Sequence, residues 1–150
     1  MGYRISPIPS NLASVKKLFY AAHIYMIVGV ISGLYYREIT KLNDFTGDTQ
    51  LGVVHTHLLA LGMLFFLIVL GLEKLFDLSA GGKLFTWFFW VYNGGLALTV
   101  AMLVVHGTQT VLGVETSPAI SGIAGLGHIV LTVGLILFFI NLGKRIPSKT

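Results

Sequence analysis

The chain has 150 residues, 55% hydrophobic and 11% charged, with no cysteine and a formal net charge of +4. A soluble domain carries roughly 25% charged residues, so this composition excludes an ordinary water-soluble fold. The missing thiols exclude disulfides, iron–sulfur ligation and covalent haem attachment through Cys-x-x-Cys-His.

Four apolar stretches follow in chain order, and they predict membrane helices over residues 17–37, 50–73, 84–112 and 118–143. Each reaches the roughly 20 residues needed to cross a bilayer. The first is longer than a secretory h-region, lacks a small-residue cleavage site and holds His23, so it reads as a retained span. It also carries the pair Gly29-x-x-x-Gly33, a spacing that lets helix backbones approach. Asn43, Asp44, Gly47 and Asp48 mark the first connection. The second span opens with His55 and His57, and Gly81-Gly82 mark the connection after it. Gly94-Gly95 interrupt the third span, which holds His106. Gly113, Glu115 and Ser117 precede Pro118, which suits the first turn of a helix. Ser121, Gly122, Ala124, Gly125 and Gly127 crowd the start of the fourth span, just before His128. Pro7, Pro9 and Pro147 mark irregular ends, and no repeat divides the chain. The expected fold is all-α: one integral membrane domain, an up-down-up-down four-helix bundle.

If the helices alternate, Arg4, Lys16, Lys17, Lys74, Lys83, Lys144, Arg145 and Lys149 share one side. The other side has Arg37 and Lys41 beside Glu38, Asp44, Asp48 and Glu115. Positive residues mark the cytoplasmic face, so both termini are expected in the cytoplasm and the protein in the plasma membrane. The basic excess follows topology and is no signal for nucleic acid.

The histidines carry the chemistry. An ionisable side chain inside a membrane helix is costly and marks a function by default. Counting 1.5 Å per residue puts His55 and His57 roughly 6 and 9 Å below the outer face, His106 about 9 Å and His128 roughly 13 Å. His23 lies near the opposite end and reads as a packing residue. Residues two apart in a helix point to nearly opposite sides, so His55 and His57 serve different neighbours. His128 shares a stripe with Ser121, Gly125 and Thr132, and His106 one with Tyr92 and Thr99; both are expected to face inward. His55 lines up with Gly52, Leu59 and Gly62, while His57 has Leu61 and Leu64 beneath it. Tyr35, Tyr36, Trp87 and Trp90 read as an interfacial aromatic belt.

Apart from Glu73 at the very end of the second, no carboxylate falls inside a predicted span, so calcium and magnesium lack an oxygen cage. Zinc or copper on imidazoles alone needs three or four rings at one point, which the divergence of His55 and His57 opposes. Haem iron needs only one or two axial imidazoles and tolerates apolar walls. Haem b is therefore the expected cofactor, with His57, His55, His128 and His106 as candidate ligands and copper as the second choice.

The run from Val54 to Met63, containing His55-Thr56-His57, resembles the His-x-His helix of haem–copper oxidases and nitric oxide reductases. That resemblance implies that His55 and His57 bind two haems on opposite sides of one helix. Through HTHLLALGMLFF, VYNGGLALTVAMLVVHGTQ and SGIAGLGHIVL the whole chain is similar to a family of small four-span bacterial membrane proteins of unassigned function. A four-span chain resembles one of the three arcs of an oxidase catalytic subunit. This implies a homo-oligomer, a trimer before a dimer, with His55 of one protomer and His57 of the next sharing a haem. The expected work is electron transfer or binding and sensing of a diatomic gas, oxidoreductase-like in character. A quinone or other redox partner is compatible, although no motif marks one. The alternative is a transport or accessory protein for haem or copper; a third reading is a structural protein whose histidines only pack.

Overall fold

A computed structural model describes residues 12–115 and 118–147, with all their side chains except those of Pro118, Ile120, Ser121 and Ala124. Arg4, Pro7, Pro9, Ser117 and Lys149, and the side chain of Ser121, lie outside the described residues. The chain folds as helix α1 (Leu12–Leu42), α2 (Leu51–Phe76), α3 (Lys83–Val111) and α4 (Pro118–Arg145), with a short 3₁₀ turn at Leu78–Gly81. All four helices are long and apolar enough to cross a membrane, as in a multi-pass membrane protein. Helices are the natural solution because lipid offers no partner to a free backbone N–H or C=O. Pro118 is the first residue of α4, where its missing N–H costs nothing.

The helices pack in chain order, α1 on α2, α2 on α3 and α3 on α4. Along α1 and α2 the contact register runs in opposite senses: Gly29 meets Leu58 and Leu59, Gly33 meets His55, and Gly62 meets Tyr25. The Gly-x-x-x-Gly pair thus faces α2. Between α3 and α4, Gly95 lies on the Leu131 backbone, Gly127 on Thr99 and Gly134 on Tyr92. Gly94 and Gly95 do not interrupt α3, which is continuous from Lys83 to Val111. Thr49 donates to the Gly107 carbonyl at 2.8 Å, tying α2 to α3 near the Asp48 end. An aromatic core of Phe65, Phe66, Phe88, Tyr92 and Phe138 fills the middle, with Phe65 stacked on Tyr92 at 4.3 Å.

α2 is not a uniform α-helix. Residues His57–Leu64 form a π-helical segment. Its buried positions are Leu51, Val54, Leu58, Gly62, Phe66, Val69 and Glu73, with three successive four-residue steps from Val54 to Phe66. On a regular α-helix those three steps would drift by about 120°. The wider π turn absorbs the drift and keeps one face against the core. Tyr92 donates to the Leu61 carbonyl at 2.8 Å inside this segment.

α2 extends past its predicted end at residue 73, to Phe76, so Glu73 lies inside the helix rather than at its end. Fully buried, Glu73 accepts hydrogen bonds from the Ser79 backbone N–H at 2.8 Å and the Ser79 hydroxyl at 2.6 Å. Asp77 ends the helix in the left-handed region (φ 49°), which Asp tolerates better than most residues. Asn141 and Arg145 of α4 then donate to the carbonyls of Leu78 and Asp77. Glu73→Ala is expected to lower stability by about 2 kcal/mol, because a buried N–H and a hydroxyl lose their acceptor. An SDS unfolding titration in mixed micelles reads this loss; no change would mean that the carboxylate does not hold the turn.

Candidate functional site

His57 stands where the α-helical start of α2 passes into the π segment. Its Nδ1 lies 2.8 Å from the carbonyl oxygen of Val53, one turn earlier. A carbonyl only accepts, so in the neutral ring the proton sits on Nδ1 and Nε2 carries the lone pair. The ring lies edge-on to that of His128 on α4, with centroids 6.5 Å apart and planes at 88°. Helices α2 and α4 thus bring two imidazoles together on the side of α2 away from α1.

His55 occupies the opposite side. Its Cβ is 3.8 Å from where a side chain on Gly33 would begin, so it sits in the α1–α2 seam. Gly52, Leu59 and Gly62 share that seam, against Tyr36, Gly29 and Tyr25. The His55 Nδ1 is buried there without a hydrogen-bond partner. His55 and His57 therefore diverge, one toward α1 and the other toward α4. His106, half-buried on α3, also has a buried, unpartnered Nδ1. It borders a recess of about 440 Å³ that includes Asp48, Gln50 and Val53. His23 is exposed and stacked on Phe19 at 5.8 Å, apart from the others.

The expectation that His128 faces the interior needs correcting. The buried face of α4 is Gly127, Leu131, Gly134, Phe138 and Asn141, while His128, Gly125 and Thr132 are exposed. The reason is backbone approach. Gly127 and Gly134 are the positions where α3 comes too close for a side chain, and they turn His128 about 100° outward. Gly122 and Gly125 have open space beside them, so their stripe is an outer face of the chain.

Among the described residues no group of three or more His, Cys, Asp or Glu side chains converges as a metal site. A copper or zinc centre built on several imidazoles has no such donor set. Two imidazoles, His57 and His128, do come within 6.5 Å of one another, edge to face. They are the two rings that would hold a haem iron between α2 and α4. The Val53 carbonyl and the π segment were not read from the sequence. No sequence signal marks the first, since the Val53 carbonyl is an ordinary helical acceptor that also takes the His57 backbone N–H and the Thr56 hydroxyl. The second left no mark either, because the chain is apolar at every position from Leu58 to Leu72 and its buried face is not distinguished.

A protein-family model described as “Protein of unknown function (DUF2871)” matches residues 15–145. No curated protein and no solved structure matches the chain.

Proposed function

The chain belongs to the DUF2871 family, whose function is unknown, and on that premise we propose that it is a haem b-binding membrane protein with His57 as its principal axial ligand and His128 as the second. The observation that carries this reading is the His57 hydrogen bond to the Val53 carbonyl. Metal-ligating histidines donate their other nitrogen to a carbonyl or carboxylate, which fixes the tautomer and raises the basicity of the free nitrogen. His57 has that arrangement, and it faces a second imidazole. Haem would supply one-electron chemistry, and two axial imidazoles favour electron transfer over gas binding. The resemblance of the His55-x-His57 helix to that of haem–copper oxidases supports the same cofactor.

The chain's own residues supply the rest. Gly122 and Gly125 leave a flat, open face beside His128, and Leu61 and Leu64 lie below His57. That face is one wall only, so a second copy completes the site in a homotrimer or, failing that, a dimer. In the proposed topology the helices alternate across the plasma membrane with both termini cytoplasmic. Lys16, Lys17, Lys74, Lys83, Lys144 and Arg145 mark the inner end. His55, half-buried in the α1–α2 seam, and His106, beside its own recess, are reserve ligands. A quinone or a redox protein would be the exchange partner.

The test is an absorption spectrum of protein purified from cells well supplied with porphyrin. A Soret band that shifts on dithionite reduction is expected. A colourless preparation would reject the reading. The exposure of His128 favours one alternative, transport or hand-over of haem, because a surface ligand lets go more readily. Haem lost during detergent washing would select that alternative, and haem retained would select electron transfer.

A further inference from the structure

Away from the imidazoles, two recesses meet at Lys17. One, of about 260 Å³, lies at the helix ends and is bordered by Ser14, Ser79, Gly82 and Thr86. The other, of about 460 Å³, runs along the α1–α3 cleft and is walled by Ala21, Ile24, Phe89 and Trp90. Lys17 borders both. Its ammonium sits 3.9 Å from the centre of the Phe89 ring and 5.1 Å from that of Trp90. No carboxylate faces it: the ion pair among the described residues is Arg37–Glu38, at the opposite end of α1. A lysine held only by ring faces keeps its charge available to a stronger partner.

The shape and charge together select the occupant. A polar recess joined through one cation to an apolar groove suits a molecule with an anionic head and a long hydrocarbon tail. The groove opens sideways between two membrane helices, with Tyr20 and Trp90 exposed at its rim, so its surroundings are lipid. Its polar floor is already engaged, since Tyr25 donates to Asn93 Oδ1 and Asn93 Nδ2 donates to the Phe89 carbonyl, each at 2.7 Å. That leaves a channel for a chain rather than a polar ring. In the head recess the Ser79 and Thr86 hydroxyl protons go to Glu73 and to the Gly82 carbonyl, leaving Lys17 and Ser14 as donors. We infer that this cleft binds one anionic phospholipid, its phosphate at Lys17 and Ser14 and one acyl chain along Ile24, Phe89 and Trp90. The site is independent of the histidines and of haem.

Trp90 reports on the groove directly. A Trp87→Phe protein retains Trp90 as its one tryptophan. In mixed micelles, brominated phosphatidylglycerol is expected to quench it at a mole fraction about fivefold lower than brominated phosphatidylcholine, given the attraction of one membrane-surface lysine for anionic lipid. Lys17→Gln on that background is expected to abolish the preference, and Lys16→Gln, exposed and outside the groove, to keep it. Equal quenching by the two lipids would overturn the inference, as would a preference that survives Lys17→Gln. An equal loss in Lys16→Gln would also overturn it, by reducing the effect to general surface charge. If Lys17→Gln does not fold, as judged by size exclusion, the two-lipid comparison on the parent decides alone.

Discussion

A His57→Ala protein is expected to purify without haem, with cofactor retention reduced by about a hundredfold or more. His57 is the imidazole whose ring is oriented by a bond to the backbone, which favours it over the other histidines as the donor. His128→Ala is expected to weaken retention as well, because it removes the ring facing His57. His23→Ala is expected to retain haem, since that ring is stacked on Phe19 in another part of the protein. His55→Ala separates two assemblies. If His55 of one protomer and His57 of the next share a haem, this variant also purifies colourless. Unchanged haem content would reject that arrangement and leave the pair within one chain. Each variant is read by haem content per protein after size exclusion, so that unfolded material is not counted. Haem bound normally by His57→Ala would end the proposal.

Gly134→Ala is expected to destabilise the protein, and Gly125→Ala to stabilise it, although the two glycines lie on one helix nine residues apart. A Cβ at Gly134 would lie 2.7 Å from the Tyr92 Cα and 2.9 Å from its backbone nitrogen. Backbone atoms cannot swing aside as a side chain end would, so α3 and α4 must separate. Overpacking of this kind costs about 3 kcal/mol, against a helix-propensity gain of about 1 kcal/mol for Ala over Gly. The net loss is about 2 kcal/mol. Gly125 has nothing within 4 Å of an added Cβ, so only the propensity gain of about 1 kcal/mol remains. SDS unfolding of the dilute protein in mixed micelles measures both. Losses of similar size at the two positions would mean that α4 is rotated from the register described.

Composition alone was enough for the four apolar helices, because an uncharged run of bilayer length has only one way to satisfy its backbone in lipid. The divergence of His55 and His57 was legible for a similar reason. Two positions on one helix are related by a fixed rotation whatever surrounds them. The facing of Gly29 and Gly33 toward a neighbouring helix was legible as well, as a small-residue spacing. The orientation of α4 was not. Its small residues form two stripes, one through Gly125 and His128 and one through Gly127 and Gly134, and either could have faced α3. Only the interhelical distances choose between them, since the closest backbone approaches fall at Gly95, Thr99 and Tyr92. The π segment is a matter of the same kind. Its three four-residue steps are steps of burial, and a run that is apolar at every position from Leu58 to Leu72 does not display them. What the sequence determined was what each helix is and which way its own side chains diverge, because these are local backbone geometry. Which imidazole meets which was left to the tertiary structure, because that depends on how closely separate helices can approach.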